Sequence, residues 1–314
     1  MPGGDVGRIG LALAPSNPDI IYAVIELPGN KGGFYKSNDM GESWEKRSDK
    51  VSGSPQYYNE IYCDPLNAEL VVLMDTRAGL TLDGGKTWTN IEGADKHVDN
   101  HALWINPEDT NHYLMGCDGG IYESYDRAKT WQFKSNLPIT QYYHARVDND
   151  YPFYNVYGGT QDNGSWIGPS QTNKRYIVNA DWVHTIGGDG YLSIPDPSNP
   201  DISYHESQYC GLRRYDERTG NSVSIQPQPT EEERFRWNWN TPYFLSPFNP
   251  KTLYVGGNYV FKSTDMGGTW KKISEDLTRQ IDQNDLPMMG KMWPPEAVAK
   301  NMSTSVFGNI FALN

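Results

Sequence analysis

Six acidic residues, Asp75, Asp99, Asp118, Asp162, Asp189 and Glu206, stand in polar turn segments where two carboxyl groups could face one bond. Hydrolysis of a glycosidic linkage needs one protonated and one ionised carboxyl group roughly 5–10 Å apart. Asp162 and Asp189 form the first candidate pair, because "GGTQDNG" and "GGDG" surround them with glycine, which lets backbone approach a ligand closely. Each also fits an Asx-turn, in which the carboxylate bonds its own backbone. Asp118 and Glu206 are the remaining catalytic candidates.

Flat and amide side chains occupy the same kind of segment. Tyr57, Tyr58, Tyr142, Tyr143, Tyr191, Trp237 and Trp239 offer faces on which sugar rings or aromatic side chains can stack, and Gln161, Asn163, Asn238 and Asn240 offer paired donors and acceptors. Packing of strands is the competing use of any one of these rings. His101 and His144 join the ligand-binding candidates. A metal site from His97, Asp99 and His101 in "HVDNH" competes with loop histidines that only form hydrogen bonds, and no metal or cofactor is expected.

The element that must position these residues is a repeat. "SNDMGESWEK" from Ser37, "TLDGGKTWTN" from Thr81, "SYDRAKTWQF" from Ser124 and "STDMGGTWKK" from Ser263 are four copies of one string. Their aspartates, Asp39, Asp83, Asp126 and Asp265, are separated by 44, 43 and 139 residues, the last close to three further periods of about 46. Two decayed copies belong between them, at Asp216 in "RRYDERTG" and Ser170 in "IGPSQTN". A proline marker runs in phase: "APSNPDIIYA", "CDPLNAELVV", "INPEDTNHYL", "PDPSNPDISY" and "SPFNPKTLYV". Each unit holds four short β-branched or aromatic runs separated by turn residues, which predicts an all-β propeller of four-stranded blades. Six blades begin near residues 8, 60, 102, 144, 190 and 242. The reading treats 1–314 as one propeller domain, with an irregular or helical excursion over 276–302 and one strand of a seventh blade in "STSVFGNIFALN", as in a fragment of a longer protein.

Each repeat serves structure. The aspartate can accept backbone N–H bonds across a tight turn, glycine takes a positive φ, and Trp44, Trp88, Trp131 and Trp270 bury their rings between sheets. This string is identified as the Asp-box, or BNR repeat. With "HALWINP", "GGTQDNGSW" and "GGDGYLSIPDPSNPDISYHES", nearly the whole chain resembles large bacterial Asp-box proteins of the sortilin-like and BNR glycosyl-hydrolase-like kind. The resemblance implies export to the periplasm, cell surface or medium, and a longer chain in which a second propeller could complete a cleft.

Propeller topology places the sheet-to-sheet connections and the second-to-third turns on one face and the boxes on the other. The expectation is one mouth at which Asp162, Asp189, His101, Tyr143 and Trp239 converge on an extended glycan. A glycoside hydrolase using acids of the same mouth and a sortilin-like peptide-binding module are the alternatives. A formal charge of −12, from 27 basic and 39 acidic residues, argues against nucleic acid or anionic membrane as partner. No apolar run approaches a membrane span. Cys63, Cys117 and Cys210 are too scattered for a disulfide framework and read as inert thiols.

Overall fold

The computed structural model describes residues 5–137 and 139–313. The described chain is all-β, and its only helical elements are the 3₁₀ turns Pro28–Asn30, Asn179–Asp181 and Gln283–Asp285. Six four-stranded antiparallel sheets follow one another, each a meander with sequential strands as neighbours, consistent with a propeller-like fold. The first sheet comprises β1 (Ile9–Leu13), β2 (Ile21–Ile25), β3 (Gly33–Ser37) and β4 (Glu45–Ser48). The second is β5 (Ile61–Cys63), β6 (Val71–Leu73), β7 (Gly79–Thr81) and β8 (Thr89–Asn90). The third is β9 (Asn100–Ile105), β10 (Tyr113–Cys117), β11 (Gly120–Ser124) and β12 (Gln132–Phe133). The fourth is β13 (Tyr142–Val147), β14 (Asn155–Thr160), β15 (Gly164–Pro169) and β16 (Val183–Ile186). The fifth is β17 (Ser193–Pro195), β18 (Ile202–His205), β19 (Arg213–Asp216) and β20 (Asn221–Ser224). The sixth is β21 (Tyr243–Ser246), β22 (Asn249–Gly256), β23 (Val260–Ser263) and β24 (Lys271–Lys272).

The chain divides into two compact units, Met1–Pro138 with Pro287–Met302, and Ile139–Leu286 with Ser303–Asn314. In the first unit the run Leu70–Met74 is apolar throughout because β6 is covered on both faces. Side chains alternate along a strand, so Val71 and Leu73 meet Tyr22, Val24 and Phe34 of the first sheet, while Leu70, Val72 and Met74 meet Leu103, Tyr113 and Met115 of the third. In the second unit Tyr157 and Ile167 pack on Tyr215 between the fourth and fifth sheets. Tyr204, Leu212, Tyr243, Leu253 and Phe261 fill the space between the fifth and sixth.

The repeated string is the turn from third to fourth strand. Asp39, Asp83, Asp126 and Asp265 each accept the backbone N–H four residues on, at 2.8, 2.9, 2.9 and 2.9 Å. The hydroxyl that opens each string donates to its aspartate and accepts the N–H of Gly41, Gly85, Ala128 or Gly267. Those four residues have φ of 93°, 92°, 62° and 82°, which favours glycine. Space matters too: a Cβ on Gly267 would lie 2.6 Å from Ile225 Cδ1. The hydroxyl and N–H of Ser43 hold the Asp39 carboxyl down at about 2, and the Thr130 and Thr269 backbone N–H groups hold Asp126 and Asp265 at about 2. A depressed carboxylate keeps its bonds above the ordinary carboxylate range and surrenders them as pH falls towards 2, so the turns stay intact through mildly acidic solution.

The tryptophans stitch neighbouring sheets. Trp131 Nε1 donates to Ile91 O at 2.7 Å and Trp270 Nε1 to Ile225 O at 2.7 Å, each acceptor lying just after the last strand of the preceding sheet. Trp44 Nε1 bonds Gly41 O of its own turn, and Trp88 Nε1 is shared at 3.2 Å between Gly85 O of its own turn and the Ser48 hydroxyl of β4 in the preceding sheet. Trp270 is half-buried against the core between the fifth and sixth sheets. Trp270→Ala is expected to cost about 2–3 kcal/mol, less than for a fully enclosed ring, measured by urea unfolding. An unchanged denaturation midpoint would remove the packing role.

The decayed copies differ. Asp216 still accepts Thr219 N at 2.9 Å in the β19–β20 turn, whereas Ser170 follows β15 and only donates its N–H to Tyr154 O. Residues 276–302 are irregular apart from the 3₁₀ turn Gln283–Asp285 and the bridge Met288–Lys291. The strand expected in "STSVFGNIFALN" is not formed over 303–313. A strand is defined by a ladder, and this segment makes one backbone bond to the sixth sheet's β22–β23 turn, Ile310 N to Gly257 O at 2.8 Å. Among the described residues no helix is long and apolar enough to cross a membrane. The three cysteines are free, and burial raises each thiol, Cys63 to about 12, which keeps the nucleophilic thiolate scarce.

Candidate functional site

Two polar clusters contain most of the residues singled out from sequence, one in each unit. In the second unit the centre is Asp189, in the connection from β16 to β17 and buried. Its Oδ1 accepts Asp162 N at 2.8 Å, and its Oδ2 accepts the Tyr191 hydroxyl at 2.8 Å and Trp239 Nε1 at 2.9 Å. Asp162 is half-exposed in the β14–β15 turn at φ 60°, a left-handed conformation that the Asp189 bond helps hold.

The glycines of "GGTQDNG" and "GGDG" bring two stretches of backbone together. Gly164 N donates to Gly188 O at 2.8 Å and Gly190 N to Thr160 O at 2.9 Å. A Cβ on Gly159 would sit 2.2 Å from the Gly190 carbonyl carbon, and one on Gly190 would sit 2.4 Å from Gly164 O. At Gly159 and Gly190 chain passes chain with no room for a Cβ.

Around this centre lie partly open rings. Tyr143 on β13, 43% exposed, packs on Tyr191 with ring centres 4.9 Å apart. Tyr209, 37% exposed, meets Trp239 edge-on at 5.0 Å and donates its N–H to Trp239 O. Burial first, then the carboxylates of Asp189 and Asp162, raises the Tyr143 hydroxyl, so the phenol stays neutral and can donate. Sequence reasoning passed over Tyr209; its signal was an aromatic in the second-to-third turn of the fifth sheet.

Other candidates have structural work. Glu206 is fully buried, its Oε1 accepts Thr241 N at 2.5 Å, and burial lifts its carboxyl well above the usual range. Thr241 stands two residues before β21, so this buried carboxyl holds the approach to that strand. Trp237 is buried against Phe235 and Phe261, and its ring belongs to the core. Tyr142 covers Gly158, where a Cβ would lie 2.3 Å from the ring, and stacks on Trp182. His144 and Gln161 are exposed, Asn163 Nδ2 donates to Gln161 O at 3.0 Å, and Asn240 N donates to Asn238 Oδ1 at 3.1 Å.

In the first unit Tyr58 is buried and its hydroxyl donates to Asp99 Oδ1 at 2.6 Å, with exposed Tyr57 beside it. The His101 ring stacks on Tyr58 at 5.2 Å and its Nε2 lies 3.0 Å from Asp118 Oδ1. Asp118 N donates to Asp99 O at 3.2 Å, which closes the group. His97 Nδ1 lies 2.8 Å from Val98 O, so the three residues of the metal alternative have separate partners. Among the described residues no group of three or more His, Cys, Asp or Glu side chains could hold a metal ion. Beneath lies an ionic group that sequence analysis missed. Lys96 Nζ donates to Glu92 Oε2 at 2.9 Å, to His97 O at 2.9 Å and to Asn100 Oδ1, using all three ammonium protons.

No protein-family model matches the chain. Among curated proteins, a xyloglucanase, Xgh74A of Acetivibrio thermocellus, is 24% identical over 288 residues, covering 84% of this chain and 32% of its own length. A second Xgh74A sequence of the same species is 23% identical over 331 residues, covering 87% of this chain and 39% of its own. The chain thus spans about a third of the length of the curated relatives it matches. Among solved structures, the GH74 xyloglucanase of Xanthomonas campestris aligns at a TM-score of 0.32 and 16% identity, over 88% of this chain and 46% of that one. YCF48 of Cyanidioschyzon merolae aligns at 0.33 and 14%, over 87% and 86%.

Proposed function

We propose that this chain is an Asp-box β-propeller of six blades that binds an extended, neutral glycan through the Asp162, Tyr143, Tyr209 and Trp239 surface of its second unit. The observation that carries the reading is Asp189: one buried carboxylate fixes a half-exposed carboxylate, a tyrosine and a tryptophan in one rigid group. Preformed aromatic faces beside hydrogen-bonding groups suit a pyranose ring, whose faces are apolar and whose rim carries hydroxyls. The similarity to proteins named xyloglucanases over 84% of the chain supports a glycan, with xyloglucan the first polymer to try. Such polymers do not cross membranes, so the reading includes export.

Hydrolysis is the second reading, favoured by the names of the same relatives. Against it, Asp189 commits both oxygens to three internal donors, so it cannot serve as the second carboxyl group of a hydrolytic pair with Asp162. Affinity electrophoresis on xyloglucan, with a glycan array and a reducing-sugar assay, separates the two. Asp162→Ala and Tyr143→Ala are each expected to weaken retention about tenfold with little change in melting temperature, about 1.4 kcal/mol apiece. Retention equal to wild type in both variants would exclude this surface, and release of reducing ends abolished by Asp162→Ala would install the hydrolase.

A further inference from the structure

Two carboxyl groups share a single phenolic hydroxyl between the fourth and fifth sheets. The Tyr157 oxygen, on β14, lies 3.1 Å from Asp148 Oδ2 and 2.8 Å from Glu217 Oε1, with Tyr157 fully buried. Asp148 follows β13 and Glu217 follows β19, so the hydroxyl joins the two sheets. One hydroxyl carries one proton and can donate along only one of these contacts. The other contact is a hydrogen bond only if a carboxyl group donates to the phenol oxygen. Asp148 is committed as an acceptor: its Oδ1 takes the N–H of Asn155 at 2.8 Å and of Asp150 at 3.2 Å, and its Oδ2 takes Asn155 Nδ2 at 2.8 Å. Where both contacts are hydrogen bonds, the group that donates to the phenol oxygen is therefore Glu217.

We propose that Glu217 carries the proton that lets Tyr157 bridge two carboxyl groups, so that the contact between the fourth and fifth sheets is a proton-operated latch that loosens as pH rises. The surroundings agree. Asp201, whose carbonyl accepts Glu217 N at 2.8 Å, and Asp148 are the anionic neighbours that act on the Glu217 carboxyl. His205, on the fifth sheet, stands 6.5 Å from the Tyr157 ring and 5.9 Å from the Tyr215 ring, buried between Ser193 and Ser203, and burial lowers it to about 3, so it adds no positive charge. Burial, reinforced by Asp148 and Asp201, raises Glu217 against the opposing pull of the Tyr157 and Ser203 hydroxyls. A carboxyl raised in the folded state contributes stability that is fully present below its unfolded value and is lost as pH rises through the folded one.

The test is thermal unfolding of the full chain from about pH 4.5 to 8, for wild type, Glu217→Gln and Tyr157→Phe. Glutamine keeps a donor towards the phenol at every pH, so the wild-type melting temperature should fall by about 3 °C more than that of Glu217→Gln over this range. Tyr157→Phe removes the shared oxygen and should start lower at acid pH. A carboxylic-acid carbonyl band in the infrared spectrum of the wild type that is missing from Glu217→Gln would locate the proton directly. A wild-type slope retained by Glu217→Gln, or the lack of any such band at pH 5, would overturn the latch.

Discussion

Lys96→Met is expected to destabilise the first unit by about 3–5 kcal/mol, because it strands a buried carboxylate. The Lys96 and Glu92 side chains are 0% and 2% exposed, and the ammonium also rests 5.6 and 5.7 Å from the centres of the Tyr122 and Trp131 rings. Glu92 Oε1 takes Ala78 N at 2.7 Å and Asn100 Nδ2 at 2.6 Å, so the carboxylate binds β9 to the approach of β7. Removing the lysine leaves that charge without its counter-ion in a medium that solvates it poorly. Removing both charges, in Lys96→Met with Glu92→Gln, should recover part of the loss, since the stranded charge is gone while the amide oxygen still accepts from Ala78 N and Asn100 Nδ2. Urea unfolding of the two single variants and the double variant forms the cycle. A single-variant loss under about 1 kcal/mol would mean that the pair is hydrated in solution.

Asp189→Ala should abolish retention on the glycan and lower stability together, in contrast to Asp162→Ala. Three donors lose their acceptor: Asp162 N, the Tyr191 hydroxyl and Trp239 Nε1. Tyr191 is 1% exposed, so its hydroxyl has no water to replace the bond. An unsatisfied buried donor costs about 1–3 kcal/mol, and a loss of about 3 kcal/mol overall is expected after partial relaxation. Asp189→Asn is not a rescue, because its amide N–H₂ would face donors on one side. Circular dichroism melts and affinity electrophoresis on the same preparations check both effects. Full retention in Asp189→Ala, with the melting temperature lowered, would separate the carboxylate from the binding surface.

The boundaries of the strands were legible because they rest on local rules. The proline marker and the box recur at one period, and β1, β5, β9, β13, β17 and β21 begin within three residues of where that period puts the first strand of each sheet. The turns of the repeated string were legible for the same reason: a Ser or Thr, an aspartate two residues on and a residue of positive φ two further, glycine in three of the four copies, close their hydrogen bonds within five residues.

The use of individual side chains was much less legible. Trp237 and Trp239 are two apart and read as equivalent, yet Trp237 is in the core and Trp239 bonds Asp189. Asn238 makes the difference, since its Oδ1 accepts Asn240 N and its carbonyl accepts the Thr241 hydroxyl, which turns the chain between the two rings. Sequence by itself determined an all-β chain of repeated four-stranded units and the chemistry of its turns, because those depend on contacts a few residues apart. Tertiary structure decided that Asp189 is a fully occupied acceptor and that chain passes chain at Gly159 and Gly190. The deciding bonds span 27 residues to Asp162 and 50 to Trp239, and no local pattern encodes which distant donor will arrive at a given carboxylate.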